Sequence, residues 1–193
     1  MKAPSFATLL LAGGASTRMG FPKALVNVDG TPLWRVQMDK LLALHPAEIF
    51  LSAPRDLELP PGAWKIIHDE KPDLGPLAGL ASARHVMSAE WLLVLAIDLP
   101  WMTASYLQAL RDRAVASGVG NVPELDGHYI GLAAIYPRTF LDDHLAAHLR
   151  SDDRSVQRLV RAGVVEGTLA PWPVAENERV LFQNANTPED LKV

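Results

Sequence analysis

The sequence contains no cysteine. That absence excludes a disulfide scaffold, a cysteine-ligated zinc or iron–sulfur site, and a cysteine nucleophile. Basic charge is not in excess either: 18 Lys and Arg stand against 22 Asp and Glu, a formal net charge of −4. A broad nucleic-acid surface needs a basic face, so no nucleic-acid partner is expected. Hydrophobic runs are too short to cross a membrane. The N-terminal one, Phe6 to Ala12, leads into Gly13-Gly14 and Arg18, with no small-residue cleavage site between. A secretory signal and a membrane partner are therefore not expected, and the cytoplasm is the expected location. Internal repeats and low-complexity tracts are missing as well. So are the G-x-G-x-x-G and Walker phosphate loops, and any recognisable Ser-His-Asp or H-E-x-x-H arrangement.

What is present is an ordinary globular composition, 49% hydrophobic and 21% charged over 193 residues. At about 150 residues per domain this predicts one domain, residues 1–193. Residues 5–12 and 91–97 are continuous apolar runs, the pattern of strands buried on both faces. Further strands are expected at 49–51, 64–67, 119–122 and 129–135. A short extended piece at 25–28 ends in an Asp29-Gly30 turn. Helices are expected at 32–44 (Thr31 as cap, Pro32 in the first turn), from Gly75 to Met87, from Thr103 to Ser117, at 139–149 and at 155–162. The alternation predicts an α/β fold of three layers, a mainly parallel sheet with helices on both faces.

In such sheets ligands bind beyond the carboxyl ends of the strands, and several candidate features follow strands directly. The first is the loop Leu11-Ala12-Gly13-Gly14-Ala15-Ser16-Thr17-Arg18-Met19-Gly20-Phe21-Pro22-Lys23. Glycines let the backbone approach a ligand, successive N–H groups form an anion-binding concavity, and Arg18 and Lys23 add charge suited to phosphate oxygens. The first acidic residue in the chain is Asp29, so this loop lies in a stretch free of negative charge. The natural guest is a polyphosphate. The second feature is Asp98, which closes the run 91–97 and precedes Leu99-Pro100. One carboxylate together with phosphate oxygens suffices for Mg2+. Asp69 lies in a charged turn that a solvated loop would also explain. Gly75-Pro76-Leu77-Ala78-Gly79 opens a helix whose N-terminus could face a nucleotide.

The pattern L-A-G-G-x-S-x-R-M-G-x-x-K resembles the signature of the nucleotidyltransferases, and the chain is similar to the molybdenum cofactor guanylyltransferase family from Leu11 to Leu191. The resemblance implies a Rossmann-like nucleotidyltransferase fold, with a nucleotide-binding half over about 1–118 and an acceptor-binding half over about 119–193. It implies transfer of GMP from GTP to molybdopterin with release of pyrophosphate, and contact with molybdoenzyme-maturation proteins as partners. Arg18, Lys23 and Asp98 would be catalytic, with Asp98 holding Mg2+. Leu11, Ala12, Gly13, Gly14, Ser16, Ser52, Asp69 and Gly75 would join Arg18 and Lys23 around the nucleotide. Asp69 would read guanine. The family carries an asparagine where this chain has Ser52, and many members carry an acid where it has Pro22. Asn184 and Asn186 match the family's N-x-N-T-P-E pattern; with His128 and Arg154 they would line the acceptor side. The same residues fit a cytidylyltransferase of that cofactor, a sugar-phosphate nucleotidyltransferase, or a nucleotide-binding accessory protein without turnover.

Overall fold

The computed structural model describes residues 4–13, 22–68, 75–151, 155–185 and 190. At its centre lies Phe6–Leu11 (β1), with alternate side chains buried on opposite faces. Trp91–Ala96 (β6) runs parallel to β1 on one flank and Glu48–Ser52 (β4) on the other, where Lys65–Ile67 (β5) follows it. On the β6 flank the order continues through Ala133–Pro137 (β9) and Gly120–Leu125 (β7) to Leu169–Pro173 (β10). Among the described residues the sheet has eight strands, because the two-residue His128–Tyr129 (β8) pairs with β7. Asn27–Val28 (β2) and Thr31–Pro32 (β3) form a separate small hairpin.

Among the described residues, Leu33–Leu42 (α1) and Ala104–Ser117 (α3) cover one face. Pro76–Val86 (α2), Arg138–Arg150 (α4) and Val156–Glu166 (α5) cover the other. Period-two alternation divides the core. Leu10, Leu93 and Leu95 face Met38, Leu41 and Leu107, whereas Leu9, Leu92 and Val94 face Leu80, Phe140 and Leu159. The expected three layers are therefore present, with strands from both sequence halves in one sheet.

Three local expectations need correction. Thr31 makes no side-chain cap for α1; the helix begins at Leu33, after Pro32, because Thr31 and Pro32 are used as β3. Asp29 and Gly30 turn that hairpin with φ of 50° and 82°, as the Asp-Gly pair suggested. The expected strand 129–135 is broken in two, and β9 runs antiparallel to both β6 and β7. The connections explain the direction: the two-residue Asp126–Gly127 turn is far too short for a parallel crossover, so the chain reverses there, and residues 130–132 interrupt the returning strand without turning it back. β10, parallel to β7, was not anticipated. It carries Pro171 and Pro173, which an edge strand tolerates.

Candidate functional site

From β1 the chain passes through α1 to β4 on one flank; from β5 it crosses through α2 to β6 on the other. The direction of winding reverses at β1, and the crevice for a ligand opens there, beyond the strands' carboxyl ends. Leu11 is in register with Ser52 on β4 and with Ala96 on β6. Past those residues the ladders continue for one bond each: the Ala12 N–H donates to the Ser52 carbonyl at 2.8 Å, and the Ile97 N–H donates to the Leu11 carbonyl at 3.0 Å. The exits of three strands, with Leu11, Ala12, Gly13, Ser52 and Asp98, are thus side by side. Lys23 re-enters as the first residue of a 3-10 turn, Lys23–Leu25, whose next residue Val26 accepts the Leu33 N–H at the start of α1 at 2.8 Å. Gly14, Ser16, Arg18, Asp69, Arg154 and Asn186 lie outside the described residues.

Asp98 is half-buried in the turn after β6. It does not cap α3. Thr103 does that, its Oγ1 accepting the Tyr106 N–H at 3.2 Å. The turn is held from below by α1. Gln37, with no exposed surface, donates its amide Nε2 to the Leu99 carbonyl at 2.8 Å and more weakly to that of Ala96 at 3.4 Å. Lys40 donates to the Pro100 carbonyl and to Gln37 Oε1, both at 2.6 Å. Burial pushes the Lys40 ammonium down to about 8 from its ordinary value. From above, the Ala185 N–H donates to the Asp98 carbonyl at 3.1 Å, which brings exposed Asn184 to the same turn.

On the other flank Ser52 is only 1% exposed. A Cβ on Gly79 would stand 2.5 Å from Leu11 Cδ2 and 2.9 Å from Ser52 Oγ, so any larger residue would force these side chains to shift. Gly75 precedes α2 with φ +58°, a left-handed conformation that favours glycine. Since α2 follows the loop leaving β5, its N-terminus is on the carboxyl edge. His68, at the end of β5, is tied to the Ala53 carbonyl through Nδ1 at 3.0 Å.

The later half places its groups differently. Asn121 of β7 is in register with Ile135, and Ile135 with Leu93, so the β7–β8 hairpin rises on the same edge as Asp98, with β9 between. Asp126 and Gly127 turn it with φ of 51° and 75°, and His128, exposed, opens β8 opposite Leu125. Side chains clamp the hairpin. Gln157 of α5 accepts the Tyr129 N–H at 3.3 Å and donates to the Tyr129 carbonyl. Arg179, in the 3-10 segment Glu176–Phe182, grips the Asp126 carboxylate with both terminal nitrogens at 3.0 and 2.6 Å. The hydrogen bond from Arg179 holds the Asp126 carboxyl below the usual carboxylate range.

Sequence reasoning missed Gln37, Lys40, Gln157 and Arg179. One of them carried a signal. Gln37 is a polar residue on the stripe Leu33, Trp34, Met38 and Leu41, and a polar side chain on a core-facing stripe asks for a buried partner. His144 and His148, at zinc-like spacing, are otherwise engaged: His144 Nε2 is 2.9 Å from Glu166 Oε2, and His148 Nδ1 lies against the His144 carbonyl. Among the described residues no group of three metal-binding side chains occurs, and no helix is long and apolar enough to cross a membrane.

Residues 8–167 match the family described as MobA-like NTP transferase domain. The protein named "Probable molybdenum cofactor guanylyltransferase" from Opitutus terrae is 34% identical over 191 residues, covering 97% of this chain and 94% of its own. The protein of the same name from Nostoc sp. is 32% identical, covering 96% and 88%. Among solved structures, molybdopterin-guanine dinucleotide biosynthesis protein A from Archaeoglobus fulgidus superposes with a TM-score of 0.73 at 22% identity, over 96% of this chain and 94% of that one, a likeness of fold.

Proposed function

The chain belongs to the MobA-like NTP transferase family and is a nucleotidyltransferase, and from that premise we propose that it transfers GMP from GTP to the phosphate of molybdopterin. In this reaction an acceptor phosphate oxygen bonds to the α-phosphorus, the bond to the bridging oxygen breaks, and pyrophosphate leaves. No side-chain nucleophile is needed, because a phosphate acceptor is already ionised near neutral pH. GTP and molybdopterin are the substrates of choice because relatives of similar length carry the guanylyltransferase name.

The observation that carries the proposal is the convergence of the Leu11–Gly13 exit and Asp98 at the reversal of the sheet. The glycine-rich segment supplies backbone N–H donors, and Lys23 with Arg18 supplies the charge to steady the departing pyrophosphate. Asp98 would fit Mg2+ as a hard-oxygen ligand, with phosphate oxygens and water among the other ligands. When bound, the ion supplies neutralisation of phosphate charge. Gly75, Ser52 and Asp69 would border the base; Asn184, Asn186, His128 and Arg154 would border the acceptor.

The test is a melting-temperature panel with GTP, CTP, UTP and ATP in Mg2+, followed by pyrophosphate release with molybdopterin. Selective stabilisation by GTP and molybdopterin-dependent release are expected. Selective stabilisation by CTP overturns the guanylyl assignment.

A further inference from the structure

A helix that only had to pack against this sheet would be apolar at position 37, as it is at Leu33, Trp34, Met38 and Leu41. Instead Gln37 buries an amide, which is costly unless its groups are bonded. Its bonds go to a single place. The Gln37 amide and the Lys40 ammonium together reach the carbonyls of Ala96, Leu99 and Pro100, on both sides of Asp98. Lys40 also binds Gln37, so the two side chains and the turn close a ring. A turn beyond the end of a strand has carbonyls that no neighbouring strand pairs, and here α1 supplies the donors. The same helix is tied at its first residue to the turn that carries Lys23, through Leu33 N–H to Val26 O. From Leu33 to Lys40 the helix rises about 10 Å. It therefore acts as a spacer with the phosphate-binding lysine at one end and the aspartate turn at the other.

We propose that Gln37 and Lys40 are positioning residues that lock the Asp98 turn at a fixed separation from the Lys23 turn, and so set the affinity of the site for the divalent ion of a metal–nucleotide complex. The inference rests on the reading of Asp98 as the ligand of that ion. Neither residue touches substrate; each acts through the backbone of residues 96–100. Without them the carboxylate keeps its chemistry and loses its aim.

The test uses Gln37→Glu, which preserves size and the contact with Lys40 but replaces the donor to Leu99 with an acceptor, and Lys40→Met, which preserves length without a donor. Mn2+ binding is read by electron paramagnetic resonance with the α,β-methylene analogue of GTP, and the analogue's affinity is read without metal. Groups that position a ligand typically contribute a factor of ten or more, so Mn2+ affinity should fall about tenfold in each variant. The analogue's metal-free affinity should not change, and the Mg2+ concentration for half-maximal pyrophosphate release should rise by the same factor. A merely structural role lowers the melting temperature and leaves metal affinity alone. Should Gln37→Glu fail to fold, Lys40→Met decides. Wild-type Mn2+ affinity in a folded Lys40→Met overturns the positioning role. A wild-type chain that binds no metal–nucleotide complex overturns the proposed function and this inference with it.

Discussion

Around β1 and its two parallel neighbours, the candidate groups hang from strand ends whose places are set by backbone ladders: Leu11 against Ser52 and Ala96, then Ala12 and Ile97 bonding one step further. Beyond β9, His128 stands on a two-residue strand held by the Gln157 amide and by the Arg179 fork on Asp126. A ladder tolerates almost any side chain so long as the strands form. A clamp depends on the particular side chains that make it. The nucleotide side should thus fail through its chemical groups, its close packing or the two α1 side chains under the Asp98 turn, and the acceptor side through its own clamps, each failing without the other.

The largest expected effect is Lys23→Ala, which removes one charged donor from the nucleotide side; turnover should fall by about 10²–10³-fold with the melting temperature unchanged. Unchanged pyrophosphate release would remove Lys23 from the phosphate site. Asp98→Asn should come next, raising the Mg2+ requirement by about tenfold or more, and an unaltered Mg2+ titration would count against Asp98 as the ligand. Gly79→Ala tests the packing. Its methyl would press on Leu11 and Ser52, and overpacking of this kind costs about 1–3 kcal/mol, measurable by denaturant unfolding.

Arg179→Ala should be the mildest. Its ion pair is exposed, so stability barely moves. The Michaelis constant for the acceptor should rise while that for the nucleotide stays put. A rise in both would mean that the two sides are not independent. The small contribution of the clasp to stability has a defined pH window. Asp126 titrates below the ordinary carboxylate range in the folded chain, so the stabilisation from the clasp is present above that range and is lost as pH falls through the lowered value. The difference between wild type and Arg179→Ala should therefore be constant from neutral pH down to about 4, close to the ordinary carboxylate value, and vanish only in stronger acid.

The same contrast governs what could be read from the sequence. The strands at 5–12 and 91–97, and the places of Gly13 and Asp98 at their ends, were legible because each is a local signal. A continuous apolar stretch, a pair of glycines and an acid after a strand need no knowledge of what lies across the sheet. The place of β9 was not legible. The run 129–135 looks like any other apolar strand, and its interruption at residues 130–132 and its insertion between β6 and β7 appear only in the fold. β10 was hidden by Pro171 and Pro173, which read as loop until an edge position is known to be vacant. Gln37 and Lys40 contact residues about sixty positions away, beyond any local pattern. The expected cap at Thr31 failed for a related reason, since a partner strand across a turn claimed the residue first.

The bond from Ala185 to the carbonyl of Asp98 bears on how the protein is made. Synthesis runs from the N-terminus, so the central strands, the glycine-rich segment and the aspartate all emerge long before residue 185. A nascent chain can build the middle of its sheet while the segment that bridges from the far hairpin back to the aspartate is still inside the ribosome. The middle of the sheet is an early product of translation and the finished crevice a late one. A chain cut short after β10 would keep its strands and lack the residues that close over Asp98.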